Sequence, residues 1–77
     1  MIAIHKIESI RFYQDSIILN IDGNELSIPL DKLSKRLQSA TEAARGMYKV
    51  SPSGYGIHWP LLDEDLSIDG MLRDFAK

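Results

Sequence analysis

The sequence predicts a small α+β domain, and three observations carry that expectation. Apolar residues alternate through much of the first thirty positions, with Asp22-Gly23 standing between two of the alternating runs. From Leu30 a helical stripe replaces the alternation, and a second alternating block around Met47–Pro60 gives way to an amphipathic helix pattern after Ser67. Together these imply one domain over residues 1–77. They predict an antiparallel sheet of about five strands, an N-terminal three-stranded meander plus a second hairpin, with two to three short helices.

Each element has its own signal. In "ESIRFY", Ile10 and Phe12 share one face and Ser9, Arg11 and Tyr13 the other, until "QDS" breaks the run. "IILNI" places Ile17, Leu19 and Ile21 together, and "ELSIPL" does the same for Leu26, Ile28 and Leu30. Asp-Gly between two such runs is a hairpin signal, because a primed two-residue turn needs positive φ. Pro29 marks the end of the third strand. Leu30, Leu33, Leu37 and Ala40 then line one side of a helix with Asp31 as its expected N-cap, and Lys32, Lys35 and Arg36 on the outer side. A second short helix, "TEAARG", has Thr41 as cap and Gly46 as an expected left-handed stop. "MYKV" and "YGIHW", joined by "SPSG", form the second hairpin, with Tyr55, Ile57 and Trp59 on one face, Gly56 and His58 on the other, and Pro60 as terminator. Ile68, Met71, Leu72 and Phe75 fall at helical spacing behind the Ser67 cap, with Asp69 near the positive end and Arg73 and Lys77 toward the negative end.

Composition excludes several classes. The chain is 44% hydrophobic and 26% charged, which is the balance of an ordinary globule and not of a disordered chain. The absence of cysteine removes disulfide frameworks and thiolate metal sites and fits a reducing compartment. No apolar run approaches the roughly 20 residues that span a bilayer. Lys6, Glu8 and Arg11 interrupt the region where a signal peptide needs its apolar segment, so the expected location is cytoplasmic. The net charge of −2 exerts no global pull toward nucleic acid or anionic membrane. Locally, residues 31–49 are basic, and residues 63–77 are acidic.

The densest chemistry lies in "GYGIHWPLLDEDLS", which holds the only Trp, one of two His and three consecutive acids. His58, Asp63, Glu64 and Asp65 match no known metal-ligand spacing, and "DEDLSIDGML" lacks the early Gly and terminal Glu of a calcium loop. No nucleophile-elbow pattern surrounds Ser51, Ser53 or Ser67, and "SPSGYG" has no Walker lysine. Neither catalysis nor a cofactor is expected. Trp59 reads either as a core residue packed on the C-terminal helix or as a surface anchor beside an acidic rim, the composition of an interface hot spot. The expected docking surface is therefore His58, Trp59, Asp63, Glu64 and Asp65, facing a basic partner. The alternative is nucleic-acid binding through Lys32, Lys35, Arg36, Arg45 and Lys49, with Tyr48 and Tyr55 nearby for stacking. Exposed strand edges and a small core are also compatible with a homodimer.

"GYGIHWPLLDEDLSIDGML" closely resembles the C-terminal signature of the bacterial domain-of-unknown-function family 2442. That pattern is Gly-Tyr-Gly-Ile-His-Trp-Pro, a two-residue spacer, Asp-Glu-Asp, then an apolar-Ser-apolar-acid-Gly helix start. Here it is met by Gly54 through Pro60, Asp63, Glu64, Asp65, Ser67 and Gly70. "LSIPLDKLSKRLQSATEAARGMYKV" is similar to the family's upstream Pro-Leu, Arg-Leu and Ala-Thr-x-x-x-Arg stretch. The family usually has Trp-Phe-Pro where this chain has Lys32-Leu33-Ser34, and Trp in place of Met47 or Tyr48. The resemblance implies a small α+β fold and a place in a two-gene bacterial cassette. It further implies the antitoxin-side or regulatory half of that pair, beside a cognate small protein. It supplies no catalytic residue.

Overall fold

The computed structural model describes residues 5–76. The expected role of Lys77 at the helix end and the first four residues of the proposed domain lie outside them. Three strands form the first antiparallel sheet in the order β1 (Ile7–Tyr13), β2 (Ser16–Ile21) and β3 (Asn24–Pro29). Alternation sets which side faces inward. Ile17, Leu19, Ile21, Leu26 and Ile28 are buried, and cross-strand pairing sets Ile10 opposite Leu19 and Phe12 opposite Ile17. The β2–β3 turn has φ of 53° at Asp22 and 83° at Gly23, the paired positive values that a primed turn requires.

The stripe from Leu30 forms two one-turn helices instead of one continuous helix, α1 (Leu30–Leu33) and α2 (Lys35–Gln38). Ser34 separates them in extended conformation, and its hydroxyl accepts the Leu37 amide at 3.1 Å. The cap is therefore Ser34 and not Asp31, since α1 begins after Pro29 with no side-chain cap. Serine offers the backbone this local alternative to a continuing helix. Helix α3 (Glu42–Gly46) is capped by Thr41 as expected, through the Ala44 amide. Gly46 is not a left-handed stop. It is the last helical residue, and Met47 follows at φ −101°.

The second sheet orders β4 (Lys49–Val50), β5 (Gly56–Trp59) and β6 (Glu64–Ser67), all antiparallel. Among the described residues the fold is thus α+β with six strands in two sheets, where about five in one sheet are expected from the sequence. The added strand is β6, which pairs Ile57 with Leu66 and His58 with Asp65. Helix α4 (Ile68–Phe75) follows it directly, capped by the Ser67 hydroxyl on the Gly70 amide. One apolar cluster joins all layers: the inner face of the first sheet, Leu30 and Leu37 of the short helices, Ile57 and Trp59 of β5, and Ile68 and Met71 of α4. No helix among the described residues is long and apolar enough to cross a membrane.

Candidate functional site

The C-terminal signature turns out to be a three-part device of strand β5, a bend after Pro60, and the strand-to-helix unit β6–α4. Its two faces have different fates. Ile57 and Trp59 point into the core, and Trp59 is 0% exposed. Its indole N–H donates to the Arg45 carbonyl at 3.0 Å, and its ring lies tilted against Tyr48 with centroids 6.1 Å apart. This corrects the expectation that Trp59 belongs to a docking surface. A side chain sealed from solvent and hydrogen-bonded at its polar tip anchors the fold, and no partner can reach it.

The acids are likewise spread over different tasks. Asp63 occupies the bend at φ 50°, and its carbonyl accepts from Arg36 Nη1 at 2.6 Å. Glu64 turns toward α2, where Oε2 accepts the Ser34 hydroxyl at 2.5 Å. Asp65 stays on the outward face of β6, opposite His58, and its Oδ1 lies 2.8 Å from His58 Nδ1. Only His58, Asp63 and Asp65 of the expected five keep side chains directed to solvent without a core or interhelical role. Lys49 pairs with His58 across β4 and β5, so Lys49, His58 and Asp65 form a row over the sheet.

These three residues also line an open concavity of about 620 Å³, together with Val50, Pro52, Tyr55, Gly56 and Leu66; Val50 and Leu66 pair with Ile57 and stand on the other face of the sheet from the row. Tyr55 is 56% exposed and Val50 also faces solvent. Regular alternation expects Tyr55 on the face of Ile57 and Trp59. However, β5 begins only at Gly56, and Tyr55 belongs to the preceding turn; its amide and that of Gly56 both donate to the Ser51 hydroxyl. This leaves its ring free to line the groove.

The basic segment does not form a face of five free cations. The Arg45 guanidinium donates to the Leu37 and Gln38 carbonyls, both at 2.9 Å, and lies 5.4 Å from the centre of the Phe12 ring. It closes the C-terminal end of α2. Arg36 is held on the Asp63 carbonyl. The ammonium groups of Lys32, Lys35 and Lys49 make no side-chain hydrogen bond or ion pair with the described residues.

Sequence reasoning missed His5. Its Nδ1 lies 2.8 Å from Asp22 Oδ2 and its Nε2 lies 2.6 Å from Asp69 Oδ1, with the side chain 13% exposed. The hydrogen bond to Asp22 foremost, and then that to Asp69, raises the imidazole pKa above its ordinary value. The same contact with His5, aided by the Lys6 amide, lowers that of Asp22. No local pattern marks this cluster, since its members are separated by 17 and 64 positions. Among the described residues no group of three His, Cys, Asp or Glu side chains is arranged to hold a metal ion.

Comparison with known proteins agrees with this architecture. The family model described as "Protein of unknown function (DUF2442)" matches residues 7–77. The chain is similar in fold to the crystal structure of a protein of unknown function from Rhodospirillum rubrum ATCC 11170, with a TM-score of 0.72 and 24% identity over 92% of this chain and 88% of that one. No curated protein matches the sequence.

Proposed function

The chain belongs to the DUF2442 family of proteins of unknown function, and within it we propose a non-catalytic protein-interaction module that docks a cognate small protein in the groove of its second sheet. The supporting observation is an open concavity whose lining brings exposed Tyr55, Val50 and Pro52 together with the Lys49–His58–Asp65 row of the second sheet. An exposed tyrosine in a shallow apolar site, rimmed by charges, has the composition of an interface anchor. Asp65 and the neighbouring Asp63 favour a partner segment that presents an apolar side chain next to a cation. The setting is the two-gene bacterial cassette that the family resemblance implies, in the cytoplasm and on the antitoxin or regulatory side. Nucleic-acid binding through the 32–49 segment has less support, because two of its five cations are held on backbone carbonyls.

The test is co-purification of the tagged chain with its partner, comparing Tyr55→Ala and Asp65→Lys with Tyr13→Ala on the first sheet. Loss of a stoichiometric small protein in the groove variants, with retention in Tyr13→Ala, supports the reading. Equal recovery from all three, or no partner with the wild type, overturns it.

A further inference from the structure

His5 joins three separate parts of the chain. Through its ring it touches Asp22 in the β2–β3 turn and Asp69 in the first turn of α4. Through its backbone amide it donates to the Ser53 carbonyl at 3.1 Å. The contact with the 51–54 loop is close: a Cβ on Gly54 would lie 1.9 Å from the His5 carbonyl oxygen, and Gly54 itself has φ +69°. That loop contributes Ser51 and Pro52 to the wall of the groove.

A carboxylate can only accept, and two of them face opposite nitrogens of one imidazole. The neutral ring has a single N–H, so only the imidazolium satisfies both contacts. We infer that His5 is a proton-operated clasp, which holds the entry to β1 and the 51–54 loop in place while both ring nitrogens carry protons. When the ring loses a proton, one nitrogen turns its lone pair to a carboxylate and that contact opens. The neighbouring charges do not replace it. Lys6 and Glu8 reach the turn, through the Lys6 amide on Asp22 Oδ1 and Glu8 Oε1 on the Gly23 amide. On α4, Arg73 pairs with Asp74. The 51–54 loop, "SPSG", brings no charged side chain. His5 is therefore faced by Asp22 and Asp69, and its charge decides both contacts.

The effect on docking rests on the groove reading above, whereas the clasp does not. The experiment follows the imidazole resonances of the full chain by NMR across a pH titration, with amide-exchange protection at His5 and Gly54 in the same samples. Asp22→Asn and Asp69→Asn serve as variants; the second leaves the Ser67 cap of α4 in place. The expected result is a His5 midpoint above the ordinary 6.5, lowered by each variant, with protection of both amides dropping several-fold as the pH rises through it. A midpoint at or below 6.5, one that neither variant moves, or protection that is flat across the midpoint overturns the clasp. Partner capture is read separately through Tyr55→Ala, so failure of the docking reading leaves these measurements decisive.

Discussion

Truncating Trp59 separates the two roles that its residue type allows. The side chain is fully buried, contacts Tyr48 and donates to the Arg45 carbonyl. Trp59→Ala removes the whole ring from a packed core, a change that costs about 3–5 kcal/mol. A domain of 77 residues has a total stability of about 4–12 kcal/mol at ordinary values per residue, so the variant retains about three quarters of it at best and is largely unfolded at worst. Trp59→Phe keeps most of the apolar contact and deletes the indole N–H. It leaves the Arg45 carbonyl without its donor, at about 1–3 kcal/mol, or roughly 5–20 °C in Tm for a domain this small. Urea unfolding followed by far-UV circular dichroism measures both, because the substitutions remove the natural fluorophore. A Trp59→Ala protein that unfolds within about 0.5 kcal/mol of the wild type, the range of neutral surface changes, would refute the core assignment. It would return Trp59 to the docking surface.

Other perturbations test further parts of the fold. Gly54→Ala forces a Cβ onto the His5 carbonyl at positive φ and is expected to cost more than about 1 kcal/mol in thermal unfolding. Gly46→Ala meets nothing within 4 Å and is expected to be neutral or to stabilise by about 0.4–1 kcal/mol. Ser34→Ala removes the α2 cap and the donor to Glu64, for an expected loss of about 1–2 kcal/mol in urea unfolding; no change would mean that α1 and α2 are set apart by something else. The pH dependence follows from two shifts of opposite sign. The stabilisation from His5, whose pKa is raised, is complete below 6.5 and is lost as pH rises through its folded value. That from Asp22, whose pKa is lowered, is complete above 3.8 and is lost as pH falls through its folded value. Their joint contribution is therefore full between those two limits, and His5→Asn is expected to flatten the alkaline side of the urea-midpoint profile.

The local elements were largely legible because their causes are local. Alternation identifies the inward faces of β1 to β3, Asp22-Gly23 identifies their turn, and Thr41 and Ser67 announce the starts of α3 and α4. Ser34 was harder. Leu30, Leu33 and Leu37 keep helical spacing through it, yet its hydroxyl has a competing partner in Glu64, thirty positions away. Strand β6 was hidden for a similar reason. "EDLS" has acids where a strand pattern needs apolar residues, and it becomes a strand because β5 offers it a free edge.

Of the five residues expected to form a docking surface, Trp59 lies in the core and Glu64 turns to Ser34. Period-two alternation says that His58 and Trp59 point opposite ways, but it does not say which side the first sheet and α4 will cover. The fold covered the Trp59 side, took Glu64 for α2 and Arg45 for the end of the same helix, and left Tyr55 and the row from Lys49 to Asp65 outside. His5 had no signal at all, because its meaning comes from two carboxylates that only the closed chain brings to it. Sequence alone therefore determined strands β1 to β3, the Asp22-Gly23 turn and the Thr41 and Ser67 caps, whose energies are settled within a few neighbouring residues. Which faces are buried, which charges are neutralised and which side chains stay exposed were decided by tertiary structure, because each depends on what packs against the residue from elsewhere in the chain.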